Sequence, residues 1–167
     1  SWALLLDKLS QLTIDYLVAQ IKAGASAVQI FDSWVGLLGR FEFEKSVYPY
    51  VRDIIAQVKA QTGAPVCYFS TASLHLFPSF KELGADVIGV DWRVSLPQAL
   101  SALESNVALQ GNLDPIYLTG EGKGLEEAVR RVLQEGARIG PHIFNVGHGL
   151  GPETNPDLVQ RTIELVR

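Results

Sequence analysis

Seven polar residues stand where short apolar runs of this sequence end: Asp32, Ser33, Ser70, Asp91, Asn112, Asp114 and His148. Carboxylates, hydroxyls, an amide and an imidazole at such places can donate, accept or transfer protons, which is the equipment of general acid–base chemistry and of carboxylate binding. Asp32-Ser33-Trp34 sends a carboxylate, a hydroxyl and an indole N–H out of one run. Asp and Ser also cap helices, so local capping by Asp32 or Ser33 is an equally direct reading. Asp91-Trp92-Arg93 offers an ion pair, and Gln110-Gly111-Asn112-Leu113-Asp114-Pro115 combines three hydrogen-bonding side chains with a proline that holds Asp114 extended and starts a turn. His148 lies between Gly147 and Gly149. That setting gives backbone freedom and exposure, which a ligand-binding histidine needs and a core histidine does not.

The same glycine loop, with Gly151, would also suit backbone N–H groups aimed at a phosphate. Neither a G-x-G-x-x-G pattern nor a P-loop lysine accompanies it. His75 falls inside an expected helix and His142 at a strand start, on the face opposite the site, so both read as structural. Cys67 lies mid-strand and reads as a small core hydrophobe.

The elements that must position these residues follow from the periodicity. A first helix is expected over Leu4 to Ala23, with Leu5, Leu9, Leu12, Leu17 and Ile21 near a 3.6 period and Gly24 just beyond its end. Strands are expected at Ala27–Phe31, Pro65–Phe69, Val87–Val90, Val107–Gln110 and His142–Val146. Each is short and almost continuously apolar, as strands buried on both faces are. Helices are expected at Tyr48–Thr62, Leu74–Leu83, Pro97–Ser105, Leu125–Gly136 and Pro156–Val166. Gly63, Gly84 and Gly136 are placed at or past helix ends, Pro97 and Pro156 in first turns, and Glu126 with Arg130 as an i,i+4 pair.

Alternating strands and helices imply parallel strands with helical crossovers. Strand starts about 29 residues apart suit successive βα units. A (β/α)₈ barrel uses about 31 residues per unit, so a leading helix and five units fill the length, which predicts the last five-eighths of a barrel. A doubly wound five-stranded sheet is the rival, and polar strand ends suit both folds.

The chain has 167 residues, 47% of them hydrophobic and 19% charged, the composition of one globular domain over residues 1–167. The formal net charge of −4 leaves no basic footprint, so nucleic acid is not an expected partner. One cysteine makes no internal disulfide and no cysteine-based zinc site, and a cytoplasmic location is expected. No apolar run is long enough to span a bilayer, and the first residues lack a signal-peptide pattern. The chain opens at Ser1 and contains no methionine, from which a trimmed product or a part of a longer chain is expected.

Phe31-Asp32-Ser33-Trp34, Gly89-Val90-Asp91-Trp92, Gln110-Gly111-Asn112-Leu113-Asp114-Pro115 and His142-Ile143-Phe144-Asn145-Val146-Gly147-His148-Gly149 occur in this order. In order and spacing they resemble the uroporphyrinogen decarboxylase family, over nearly the whole chain. The resemblance implies the C-terminal portion of a distorted (β/α)₈ barrel, commonly a homodimer. It also implies removal of the four acetate carboxyl groups of uroporphyrinogen to give coproporphyrinogen, without metal or organic cofactor.

By the same resemblance Ser33 matches a serine that hydrogen-bonds substrate, Phe31 an aromatic wall of the cleft, and His148 a histidine that contacts a substrate carboxylate. The family's pyrrole-binding aspartate, its carboxylate-binding arginines and a site tyrosine belong to motifs expected upstream of Ser1. No catalytic residue is therefore assigned within the chain, the 167 residues alone are expected to be inactive, and association with the missing part or a second copy is expected. The segment Ser70-Thr71-Ala72-Ser73-Leu74-His75 departs from the glycine-rich stretch of many relatives and is given no substrate role. Two alternatives stand beside this reading. One is a zinc- or corrinoid-dependent methyltransferase of the same superfamily, whose His-x-Cys pattern and second cysteine are missing around Cys67; the other is a non-catalytic barrel fragment.

Overall fold

The computed structural model describes residues 1–167. Its helices are α1 (Trp2–Lys22), α2 (Arg40–Ser46), α3 (Tyr48–Thr62), α4 (Phe77–Phe80), α5 (Leu96–Leu103), α6 (Leu125–Ile139) and α7 (Pro156–Val166). Its strands are β1 (Val28–Asp32), β2 (Val66–Ser70), β3 (Val87–Gly89), β4 (Ala108–Leu113) and β5 (His142–Val146). Strand order follows chain order, giving the expected α/β arrangement of parallel strands and crossover helices. Two compact units are distinguished, Ser1–Ile88 and Gly89–Arg167.

In the first unit, α1 buries Ser10, Ile14, Leu17 and Val18, while Trp2, Leu5, Leu9, Leu12 and Tyr16 are exposed. The apolar period seen in the sequence thus belongs to two helix faces, of which the one carrying Leu17 faces the unit's interior. β1 and β2 pair in parallel, with Val28 opposite Val66 and Asp32 opposite Ser70. Beside β2, Phe80 packs edge-on against both Tyr68 and Phe43, with ring centroids 5.1 and 5.5 Å apart. Each such pair adds about 1 kcal/mol to the stabilisation from burial alone. Gly63, at φ +67°, closes α3 in the left-handed conformation that glycine adopts without a steric penalty.

Lys59 of α3 reaches Asp86 at 2.7 Å, and the other Asp86 carboxylate oxygen accepts from the Val66 backbone N–H at 2.9 Å. Burial pushes the Asp86 carboxyl up, but these two partners outweigh it and hold the group below the usual carboxylate value. The helix expected over 74–83 is instead a 3₁₀ turn, Leu74–Leu76, followed by the single turn of α4. Pro78 lies in the first turn of α4, where its missing N–H does no harm, and a longer helix through it would lose a hydrogen bond. His75 is consequently exposed in a 3₁₀ turn and not on a helix, with Nε2 2.8 Å from the Leu38 carbonyl oxygen.

In the second unit, β4 and β5 pair in parallel from Leu109 opposite His142 to Leu113 opposite Val146. β4 therefore runs past Gln110, where the sequence pattern ends it, because Gly111 and Asn112 remain in register with Phe144 and Asn145. Ser95 and Gln98 close a capping box at the start of α5.

α6 continues to Ile139, so Gly136 does not end it. A Cβ at Gly136 would stand 2.1 Å from His142 Nδ1, and glycine is what lets this helix lie against the histidine ring. His142 Nε2 in turn lies 2.7 Å from the Gly111 carbonyl oxygen, which accounts for a structural histidine there. Glu126 feels the charge of Arg130, as its i,i+4 spacing predicts, but its direct contact is elsewhere. It binds Arg161 of α7 at 2.6 Å, an interhelix contact that spacing along one helix does not reveal. No helix is long and apolar enough to cross a membrane.

Candidate functional site

The candidate residues of the first unit stand at the carboxyl ends of β1 and, for Ser70, β2. Phe31 is 71% exposed and meets Phe69 edge-on at 5.9 Å. Trp34 and Leu37, just beyond the strand, are also exposed, so an aromatic and aliphatic surface surrounds this strand end. Neither Asp32 nor Ser33 caps the next element, since the 3₁₀ turn Val35–Leu37 has Trp34 at its N-cap and no side-chain cap bond.

Asp32 is instead committed to Tyr68, whose hydroxyl donates to Oδ2 at 2.8 Å. Burial pushes the Asp32 carboxyl above its ordinary value, and the Tyr68 bond offsets part of that. Burial and the neighbouring carboxylate both push the Tyr68 phenol up, which keeps it a hydrogen-bond donor. Ser33 is gripped through its backbone: Thr71 Oγ1 donates to the Ser33 carbonyl oxygen at 2.5 Å.

The second unit carries the remaining candidates at the ends of β3, β4 and β5. Asp91 is 4% exposed and accepts from the Arg93 backbone N–H at 3.1 Å and from Nη1 at 2.5 Å. The Arg93 guanidinium lies over the Trp92 ring, 3.9 Å from its centroid, and Trp92 meets His148 edge-on at 5.9 Å. The expected ion pair is therefore present, and it braces an indole that abuts His148.

Asn112 is buried and spends its amide on the Asp91 and Val94 carbonyl oxygens, at 2.9 and 2.6 Å, so it shapes the rim from within. Asp114 builds the expected turn by accepting from the Ile116 N–H at 2.9 Å, and Asn145 Oδ1 accepts from the Val146 N–H at 2.8 Å. A cavity of about 450 Å³ opens beside these groups, lined by Trp92, Asp114, Pro115, Ile116, His148 and Glu153 among others.

Structure thus brings together Phe31, Asp32 and Ser33 in the first unit, and Trp92, Asp114 and His148 in the second. Ser70 is turned inward, its buried hydroxyl 2.6 Å from that of Ser73. Cys67 is buried within β2, and no cluster of three or more His, Cys, Asp or Glu side chains suited to a metal ion is formed. Sequence reasoning passed over Tyr68 and Thr71. The only signal for Tyr68 was a phenol within an otherwise apolar strand, which calls for a polar partner.

The family model for uroporphyrinogen decarboxylase matches residues 1–167. The chain belongs to the uroporphyrinogen decarboxylase family. It is 42% identical over 166 residues to a uroporphyrinogen decarboxylase of Staphylococcus haemolyticus, covering 99% of this chain and 48% of that protein. It is 44% identical over 165 residues to one of Streptomyces avermitilis, covering 99% and 46%. The chain spans about half the length of these relatives. Among solved structures, a methyltransferase from Methanosarcina mazei superposes with a TM-score of 0.80 at 15% identity, over 93% of this chain and 46% of that one. At that identity the likeness is one of fold. Five strands with alternating helices, matching about half of such a chain, agree with a partial barrel in this decarboxylase family.

Proposed function

We propose that residues 1–167 form one partial barrel domain of a uroporphyrinogen decarboxylase, converting the four acetate side chains of uroporphyrinogen to the methyl groups of coproporphyrinogen. The observation that carries this reading is the family match over the whole chain, with its motifs standing at strand carboxyl ends, where α/β enzymes place their working groups. Protonation of a pyrrole carbon beside an acetate arm creates a cationic electron sink. The carboxylate then leaves as carbon dioxide, its bonding electrons flow into the ring system, and protonation of the methylene followed by proton loss from the ring restores the pyrrole. The steps balance without a metal or organic cofactor.

In this reading the Ser33 hydroxyl hydrogen-bonds the substrate, the exposed Phe31 ring lines the cleft, and His148 receives a substrate carboxylate. The catalytic aspartate and the arginine clamps are assigned to the part of the family sequence outside this chain. A cytoplasmic enzyme that works as a homodimer completes the proposal.

The test is the decarboxylation assay on the full-length protein, with products separated by carboxyl number. Ser33→Ala and His148→Asn should each lower kcat/KM by about tenfold, the scale of one charged or well-placed hydrogen bond, or accumulate partly decarboxylated intermediates. Wild-type kinetics in both would remove these residues from the site. The isolated 167-residue chain should show no turnover, and robust decarboxylation by it would contradict the assignment of the catalytic groups elsewhere.

A further inference from the structure

Two hydrogen bonds, one from the middle of β2 and one from the residue after it, hold the end of β1, and none of the roles above uses them. Thr71 Oγ1 donates to the Ser33 carbonyl oxygen at 2.5 Å, and the Tyr68 hydroxyl donates to Asp32 Oδ2 at 2.8 Å. The parallel register, with Asp32 opposite Ser70, puts Thr71 level with Ser33, while Tyr68, opposite Ile30, reaches two residues along β1 to Asp32. Gly36 tightens the contact: a Cβ there would stand 2.1 Å from the Thr71 carbonyl oxygen and 2.8 Å from that of Ala72. The loop after β1 therefore lies directly on the loop after β2.

The second loop is itself firmly set. The buried Ser70 and Ser73 hydroxyls are 2.6 Å apart, and Ala72 holds a φ of +52°, which a residue with a Cβ keeps only where its surroundings enforce it. Ser33 is thus fixed through its backbone carbonyl while its half-buried hydroxyl takes no protein partner and is left for a ligand.

We propose that Thr71 and Tyr68 are positioning residues for Ser33, acting as a two-point clamp from the neighbouring strand. The inference rests on the reading of Ser33 as a substrate-contacting residue. Small displacements of a group that must meet a reacting substrate are costly, so the clamp should register in turnover and not only in stability.

The experiment is a double-mutant cycle in the full-length protein, measuring kcat and KM for uroporphyrinogen. Thr71→Val should lower kcat/KM about 3- to 10-fold, with the loss divided between kcat and KM as in Ser33→Ala. Thr71→Ser, which keeps the donor, should restore the parent value. In a Ser33→Ala background, Thr71→Val should change kcat/KM by less than about 2-fold, because the group it positions is gone. Tyr68→Phe carries the same cycle should Thr71→Val fail to fold.

Equal losses in both backgrounds, or wild-type kinetics for the clamp variants while Ser33→Ala is impaired, would overturn the inference and leave the Ser33 reading intact. Wild-type kinetics for Ser33→Ala would overturn that reading, and the inference with it.

Discussion

The Asp91 carboxylate, 4% exposed, is bound at 2.5 Å by the guanidinium of Arg93, two residues further along the same strand end. Arg93 is half exposed, so its charge is partly screened, whereas the carboxylate it serves is not. Arg93→Leu should therefore destabilise the protein by about 1–2 kcal/mol, mostly by leaving a nearly buried carboxylate with less compensation. Urea unfolding checks this. Pairing the change with Asp91→Asn should recover part of the loss, and a double variant as weak as the sum of both would contradict it.

Asp32 gives a pH-dependent prediction. Its folded-state carboxyl lies above the ordinary value because of burial, so the folded chain binds more protons than the unfolded chain once pH exceeds about 4. Stability contributed by this group is full below its unfolded value and is lost as pH rises through the folded one. Asp32→Asn keeps an acceptor for Tyr68 and removes the charge. Its melting temperature relative to the parent should increase between about pH 3.5 and pH 7, and a constant difference would contradict the burial argument.

Asn112 satisfies two backbone carbonyls from inside the second unit. Asn112→Ala should cost about 2–3 kcal/mol in chemical denaturation, since both acceptors lose a buried donor. A loss below about 0.5 kcal/mol would show that water replaces the amide.

The glycines flanking His148 should behave differently. A Cβ at Gly147 would lie 2.5 Å from the Trp92 backbone nitrogen, while one at Gly149 meets nothing within 4 Å. Gly147→Ala should cost about 1–3 kcal/mol, the usual scale of overpacking, and Gly149→Ala should be near neutral. Thermal melts of the two variants distinguish these outcomes, and equal melting temperatures would contradict the close approach.

Much of this was legible in local pattern. The helices at Tyr48–Thr62 and Pro156–Val166 and the strand at His142–Val146 have the bounds that periodicity and end signals gave them. What local pattern misses is whatever a distant partner decides. Gly136 looks like a helix end, yet it is a contact surface for His142, and Glu126, besides the charge of Arg130 within its helix, takes Arg161 of α7 as its direct partner.

The exposed leucines of α1 share one spacing with buried neighbours, and period alone does not say which face meets the rest of the fold. At the candidate site, Ser33 and His148 were visible because strand ends and glycine flanks announce them, and Phe31 only through the family resemblance. The clamp by Tyr68 and Thr71 was not, because it depends on the register between two strands about 38 residues apart.

The most direct measurement is the product analysis of the full-length protein incubated anaerobically with uroporphyrinogen. The expected result is coproporphyrinogen with four carbon dioxide molecules released per substrate, and a loss of about tenfold in kcat/KM on Ser33→Ala. A folded full-length protein that leaves uroporphyrinogen unchanged would contradict the proposed activity.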